Sequence, residues 1–203
     1  MTEKSAYFGS VPFSPLLLVI SGPSGIGKDA VVQALRSRYS NQHFVITMTS
    51  RTPRPCEKNG VDYFFVSREE FERLVAAGEL LEHAKVYSDY KGIPRRQVKE
   101  ALESGKDVIM RLDVQGAMTI RSLCPEAVLI FLTASSREEW INRLASRCSE
   151  SPEEFELRVR TAEQEFSHLD IFDYIVVNAE DKLEQTVDII QDIITAEHHR
   201  VHP

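Results

Sequence analysis

A short apolar run, LLLVIS at 16–21, passes directly into GPSGIGK at 22–28 and then into DAVVQALRSRY at 29–39. In the last of these, Val32, Leu35 and Tyr39 recur at helical spacing. No other stretch limits the fold as much. The apolar run lacks polar alternation, the pattern of a strand buried on both faces and hence of a parallel sheet. The glycines let the backbone turn tightly and point successive N–H groups inward. A nest for an anion therefore opens at the N-terminus of the following helix.

Strands and helices continue to alternate. FVITMTS (44–50), VDYFFVS (61–67), ELLEHAKVY (79–87), DVIMRLDV (107–114), AVLIFLTA (127–134) and YIVVN (174–178) read as strands. SREEFERLVAAG reads as a helix with Ser67 as its cap, Glu70 three residues on and Gly78 as its stop. Pro94 opens a helix through Leu102, and another runs from about Gly116 to Leu123. SSREEWINRLASR and SPEEFELRVRTAEQEFSHL are charged amphipathic helices, capped at Ser135 or Ser136 and at Ser151, and DKLEQTVDIIQDIITAEHH is the last. The order predicts an α/β fold of three layers, a mostly parallel sheet covered by helices on both faces. Several strands precede the second helix of the 44–100 region, which predicts a separate small sheet there. Residues 1–15, with Gly9, Pro12 and Pro15, are expected to form a flexible arm, and 198–203 a tail.

Composition narrows the partners. Lys and Arg number 24 against 31 Asp and Glu, a formal charge of −7 that argues against a sequence-blind nucleic-acid binder. Hydrophobic residues make up 42%, enough to bury a substantial core. Cys56, Cys124 and Cys148 fit neither a disulfide framework nor a zinc motif, so a reducing, cytoplasmic setting is expected. The N-terminal residues have the pattern of neither a secretory signal nor a transit peptide, and no apolar run reaches the ~18 residues of a membrane span. The expected protein handles small molecules, without nucleic acid or membrane, as a monomer or weak dimer.

An acidic chain that binds anions must concentrate its cations locally. Gly22, Pro23, Ser24, Gly25, Ile26, Gly27 and Lys28 match the Gly-x-x-x-x-Gly-Lys loop that cradles a nucleoside triphosphate, with Lys28 as a point charge on the outer phosphates. In TSRTPRP (49–55), Arg51 and Arg54 flank a proline; they read as a bidentate phosphate clamp or as two surface arginines. Tyr63 adds a phenolic donor or a core ring.

Taken in order, SGPSGIGK, TSRTPRPCEKNGVDYFFVSREEF, GELLEHAKV, GKDVIMRLDVQG, the Arg-rich 143–158 segment and FDYIVVN resemble guanylate kinase from about residue 16 to 196. The resemblance implies a P-loop NTPase-type domain over 16–197. Its core would span 16–44 and 105–197, with an inserted GMP-binding β/α subdomain at about 45–100 and a helical lid at about 137–160. It also implies transfer of the ATP γ-phosphoryl group to GMP, and to dGMP as a further candidate, with Mg²⁺ as the cofactor. Arg51, Arg54 and Tyr63 would hold the GMP phosphate. Thr47 falls where the family contacts the base, and Glu82 matches the acid that reads guanine. A carboxylate suits guanine, because N1–H and N2–H₂ form a donor pair that adenine lacks. Asp113 resembles the acid placed between the nucleotides, orienting guanine or a magnesium-bound water. Arg143, Arg147 and Arg158 match the lid arginines that join Lys28 and Arg51 around the transferring group. Asn178 matches a residue touching the ATP base, or caps the following turn.

Four departures stand out. Asp29 replaces the Ser or Thr of the loop, Lys91-Gly92-Ile93 replaces Tyr-Gly-[Ser/Thr], Arg111 stands where the family has Asp, and Cys56 and Cys148 stand where Gly is common. The Asp29, Lys91-Gly92-Ile93 and Arg111 variants resemble those of plant organellar guanylate kinases, and Lys91 is a candidate phosphate contact beside Gly92. A carboxylate about 4 Å from a phosphate oxygen repels it by roughly 4 kcal/mol per unit charge at an effective dielectric of about 20. Asp29 must therefore meet a cation, either Mg²⁺, which is the favoured reading, or an arginine. Two other functions remain open on the sequence. One is a kinase resembling ribose 1,5-bisphosphate phosphokinases, which also carry GKD; the other is a non-catalytic guanylate-kinase-like interaction module.

Overall fold

The structure is a computed structural model and describes residues 14–86, 88–146 and 152–201. Two sheets organise the chain. The larger contains β1 (Leu17–Ser21), β2 (Gln42–Phe44), β7 (Asp107–Arg111), β8 (Val128–Thr133) and β9 (Tyr174–Val177). Its strand order is β2-β7-β1-β8-β9, and every pairing is parallel. The smaller contains β3 (Met48–Thr49), β4 (Phe64–Phe65), β5 (Leu80–Val86) and β6 (Asp89–Pro94) in the order β4-β3-β6-β5. Seven α-helices accompany them among the described residues: α1 (Lys28–Arg38), α2 (Arg68–Ala76), α3 (Arg95–Glu103), α4 (Val114–Leu123), α5 (Arg137–Ser146), α6 (Pro152–Glu165) and α7 (Leu183–Glu197).

The apolar runs explain the three layers. Successive side chains of a strand point to opposite faces, so a run without polar residues feeds two cores. Leu18 and Ile20 of β1, with Ile130 of β8, pack against Val31 and Leu35 of α1 and Val187 and Ile190 of α7. Val19, Met110 and Leu129 turn the other way, onto Val98 and Ala101 of α3 and Ala117 and Ile120 of α4. A third cluster, Phe71, Leu74 and Leu80, closes α2 onto the small sheet.

The structure departs from the sequence expectations at several boundaries. FVITMTS is not one strand but a crossing between sheets. Val45 N–H still donates to Ile109 of the large sheet, and β3 starts at Met48 in the small one. At the crossing Gln97 of α3 grips Ile46 by both backbone groups, accepting from its N–H at 3.1 Å and donating to its carbonyl at 3.1 Å. VDYFFVS keeps only Phe64–Phe65 as strand. Before it, Asp62 accepts from Lys58 N–H and Asn59 accepts from Phe65 N–H, holding the segment as a turn. SDYKGIP, not read as regular structure, pairs on both sides as β6. DVIMRLDV ends as a strand at Arg111, because Asp113 caps α4 and starts it at Val114. Ser136, rather than Ser135, accepts the capping bond from Glu139 N–H. The long helix after Pro152 becomes a 3-10 turn over Phe166–Ile171. Ser151, Arg147 and Cys148 lie outside the described residues. Among the described residues no helix is long and apolar enough to cross a membrane.

Candidate functional site

Every strand end that matters meets at the carboxyl edge of the large sheet, where open parallel sheets bind their ligands. The glycine loop leaves β1 there, Arg111 and Asp113 leave β7, and Asn178 follows β9. Gly25 and Gly27 have φ of 84° and 94°, a conformation that side chains resist. Gly27 caps α1 without a side-chain bond, so the first N–H groups of the helix face the loop. A Cβ on Gly27 would also lie 2.6 Å from Asn178 Nδ2.

Asn178 is a brace in this structure. It is buried, its Nδ2 donates to Ile26 O at 2.8 Å, and its Oδ1 accepts from Thr186 Oγ1 at 3.0 Å. It also lines a cavity of about 240 Å³ with Gly25, Gly27, Arg143 and Asp181, beside the loop. From α5, Trp140 Nε1 donates to Ser24 O at 2.8 Å and Arg143 donates to Asn178 O at 2.8 Å while pairing with Glu139. From α6, Arg158 donates to Ser24 Oγ at 3.2 Å. Two of the three expected arginines therefore reach the loop and its flank, and Arg147 is outside the described residues.

Lys28 folds back over the loop and donates to the carbonyls of Gly22 and Pro23. Burial lowers its pKa to about 8; Glu165, Asp29 and Asp113 oppose the shift and Lys91 adds to it. Glu165, at the end of α6, is the residue sequence reasoning missed. Its Oε2 is buried without a hydrogen-bond partner, and burial raises its pKa to about 7 against the pull of Lys28. One glutamate among the many on this helix carries no sequence signal that separates it from the exposed ones.

The small sheet carries the second group of residues singled out by the sequence. Glu82 of β5 is 3% exposed, and its carboxylate takes no hydrogen bond among the described residues. Burial first, and then Asp113, raise its pKa to about 8, while Lys91 pulls it down. Nearby, Thr47 Oγ1 is buried and unpartnered. Asp113 spends one oxygen on Gly116 N–H at 2.9 Å as the cap of α4. Gly92 is required by packing, since a Cβ there would stand 2.8 Å from Leu80 Cδ1 and 3.1 Å from the Phe71 ring.

The arginine pair is split. Arg51 lies over the Tyr63 and Phe65 rings, 4.9 and 5.5 Å to their centroids, and forks onto Glu57 at 2.7 and 2.5 Å. Arg54 is exposed, and its backbone N–H donates to the same carboxylate at 2.8 Å. Glu57 thus occupies the fork as a phosphate would, and its bond to Arg51 holds its pKa below the usual range. Asp29 meets an arginine here, forming an ion pair with Arg111, which is the alternative to the metal contact favoured from the sequence. No group of three or more His, Cys, Asp or Glu side chains could hold a metal ion among the described residues.

The chain is similar to known proteins along most of its length. The guanylate kinase family profile matches residues 14–197. Guanylate kinase 2, chloroplastic/mitochondrial, of Oryza sativa subsp. japonica is 47% identical over 192 residues, covering 94% of this chain and 67% of the rice protein. Guanylate kinase of Latilactobacillus sakei is 43% identical over 187 residues, covering 92% of this chain and 91% of its own. The crystal structure of guanylate kinase from Anaplasma phagocytophilum superposes with a TM-score of 0.77 at 30% identity, over 94% of this chain and 90% of the other. Because the profile takes in both sheets and every described helix, the chain belongs to the guanylate kinase family.

Proposed function

We propose that this protein is an ATP:GMP phosphotransferase that converts GMP and ATP to GDP and ADP. The observation that carries the proposal is the buried acceptor set. Thr47 Oγ1 is buried without a partner, and Glu82, 3% exposed, receives no hydrogen bond on its carboxylate among the described residues. Buried polar groups without partners are costly and rare, so they point to a ligand. Guanine offers adjacent N–H donors for Glu82. A sugar-phosphate acceptor would leave that carboxylate unused.

The GMP phosphate would displace Glu57 from the fork of Arg51, with Arg54, Tyr63 and Lys91 around it. The triphosphate would lie on the N–H groups at the start of α1. Lys28 would exchange its loop carbonyls for phosphate oxygens, whose negative charge would raise the pKa of its amine again. Phosphoryl transfer needs alignment and charge neutralisation more than covalent help. Arg143 and Arg158, already at the loop, would supply the second. Asp29 and Asp113 are hard oxygen donors and fit Mg²⁺, directly or through water. When bound, the ion neutralises the triphosphate. Cys56 and Cys124 are free thiols, which suits a reducing compartment such as the cytosol.

A coupled ADP-release assay with GMP, dGMP, AMP, UMP and ribose 1,5-bisphosphate tests the proposal. Turnover of GMP is expected, and dGMP is the next candidate acceptor. Turnover of another acceptor without GMP overturns it.

A further inference from the structure

Two of the departures from the family pattern are 82 residues apart in sequence and meet in space. Arg111 Nη1 donates to Asp29 Oδ1, and Nη2 reaches Asp62 O at 3.4 Å. The Arg111 guanidinium also lies over the Tyr63 ring, 4.6 Å from its centroid. Its side chain is 16% exposed, while that of Asp29 is 47% exposed at the mouth of the loop. Tyr63 is the same ring that carries Arg51.

We infer that Asp29 and Arg111 are one matched pair, in which Arg111 is a positioning residue that neutralises the loop carboxylate and ties the donor loop to the acceptor-phosphate clamp. The inference rests on the proposal that the loop binds ATP. A carboxylate in the first turn of α1 adds a negative charge where phosphates must sit. A half-exposed carboxylate near phosphates is tolerable only with a fixed cation beside it. Arg111 is fixed on three sides: by Asp29, by the Asp62 carbonyl and by the face of Tyr63. Its register at the end of β7 places it beside Ile20, the residue next to the last of β1. An arginine at this position answers an acid at position 29, and neither departure is favourable alone. Through Tyr63 the same guanidinium lies against the ring that positions Arg51, so the donor and acceptor sites share one cation–π cluster.

A double-mutant cycle on the full chain tests this. ATP affinity is measured by calorimetry in EDTA, so that no divalent ion substitutes for Arg111. Arg111→Gln is expected to weaken ATP at least tenfold in the wild-type background. In an Asp29→Ser background the same change is expected to cost less than threefold. Arg111→Lys keeps the charge without the fork, and is expected to recover more than half of the lost binding energy. Thermal melts of each variant confirm folding, and Arg111→Lys stands in should Arg111→Gln fail to fold. Equal losses in both Asp29 backgrounds overturn the matched pair. Wild-type protein that binds no ATP overturns the donor-loop reading itself.

Discussion

Replacing Glu82 by Gln should make the ligand-free protein more stable while removing its grip on guanine. Glu82 is 3% exposed, and burial with the nearby Asp113 charge raises its pKa from 4.5 to about 8. A group whose pKa is raised on folding contributes its full stability below the unfolded value and loses it as pH rises through the folded one. The interval runs here from pH 4.5 to about 8. At about 1.4 kcal/mol per pH unit, ionising Glu82 costs the native state on the order of 4 kcal/mol by pH 8. Glutamine has the same shape and no charge. The stability difference between variant and wild type should thus be near zero at pH 5 and grow to several kcal/mol in favour of the variant at pH 8. Urea unfolding of ligand-free protein at pH 5, 6.5 and 8 measures it. The variant should also bind GMP at least a hundredfold more weakly, because its amide presents a donor to guanine's donors. A stability difference that does not change with pH would refute the assignment of buried charge to Glu82.

Three further outcomes are expected. Asp29→Ser should shift the magnesium dependence of the rate, and an unchanged magnesium titration would separate Asp29 from the ion. Gly27→Ala meets both a φ of 94° and the Asn178 amide, so it should lower unfolding free energy by about 1–3 kcal/mol and weaken ATP binding. Thermal melts and ATP titrations check both effects. Thr47→Val removes a buried hydroxyl that has no partner, so stability should hold or rise by about 1 kcal/mol while GMP affinity falls roughly tenfold. Unchanged GMP affinity would exclude Thr47 from base contact.

Elements whose cause is local were legible in the sequence, and those whose cause is distant were not. The strand, loop and helix from Leu17 to Arg38 are specified by their own residues, as is the Ser67 cap of α2. The break at Ile46 depends on Gln97, 51 residues later, and nothing in FVITMTS announces it. The strand β6 was hidden because Pro94 reads as the start of a helix, yet Gly92 lets the Leu80 and Phe71 side chains close over it. Within the site, Lys28, Arg51 and Glu82 stood out by motif. Arg111 was visible only as an oddity until Asp29 appeared beside it. Glu165 had no signal at all, since its burial is decided by the packing of the end of α6.

The ligand-free site is arranged against its own stability. Burial pushes Lys28 down to about 8, Glu82 up to about 8 and Glu165 up to about 7, so each is held near neutrality by its surroundings. The charged form of each thus costs the empty site, and Thr47 adds an unpartnered hydroxyl. On the proposed reading, phosphate would answer Lys28 and the guanine N–H pair would answer Glu82. Folding alone would favour apolar residues at these positions, as a core does. Their presence makes sense if the cost of burying them is returned on binding, when the carboxyl and hydroxyl gain partners and Lys28 exchanges its loop carbonyls for charged oxygens. Glu57 is the exception that supports the rule, because it satisfies Arg51 in the empty clamp with a carboxylate shaped like the expected phosphate contact. On the proposed reading, the arginine that would meet the phosphate is kept charged and oriented, while the groups that would read the base are left unsatisfied. Selectivity then follows from the mismatch. A base lacking the N–H pair leaves Glu82 buried and alone, and the penalty already present in the empty site discriminates against it.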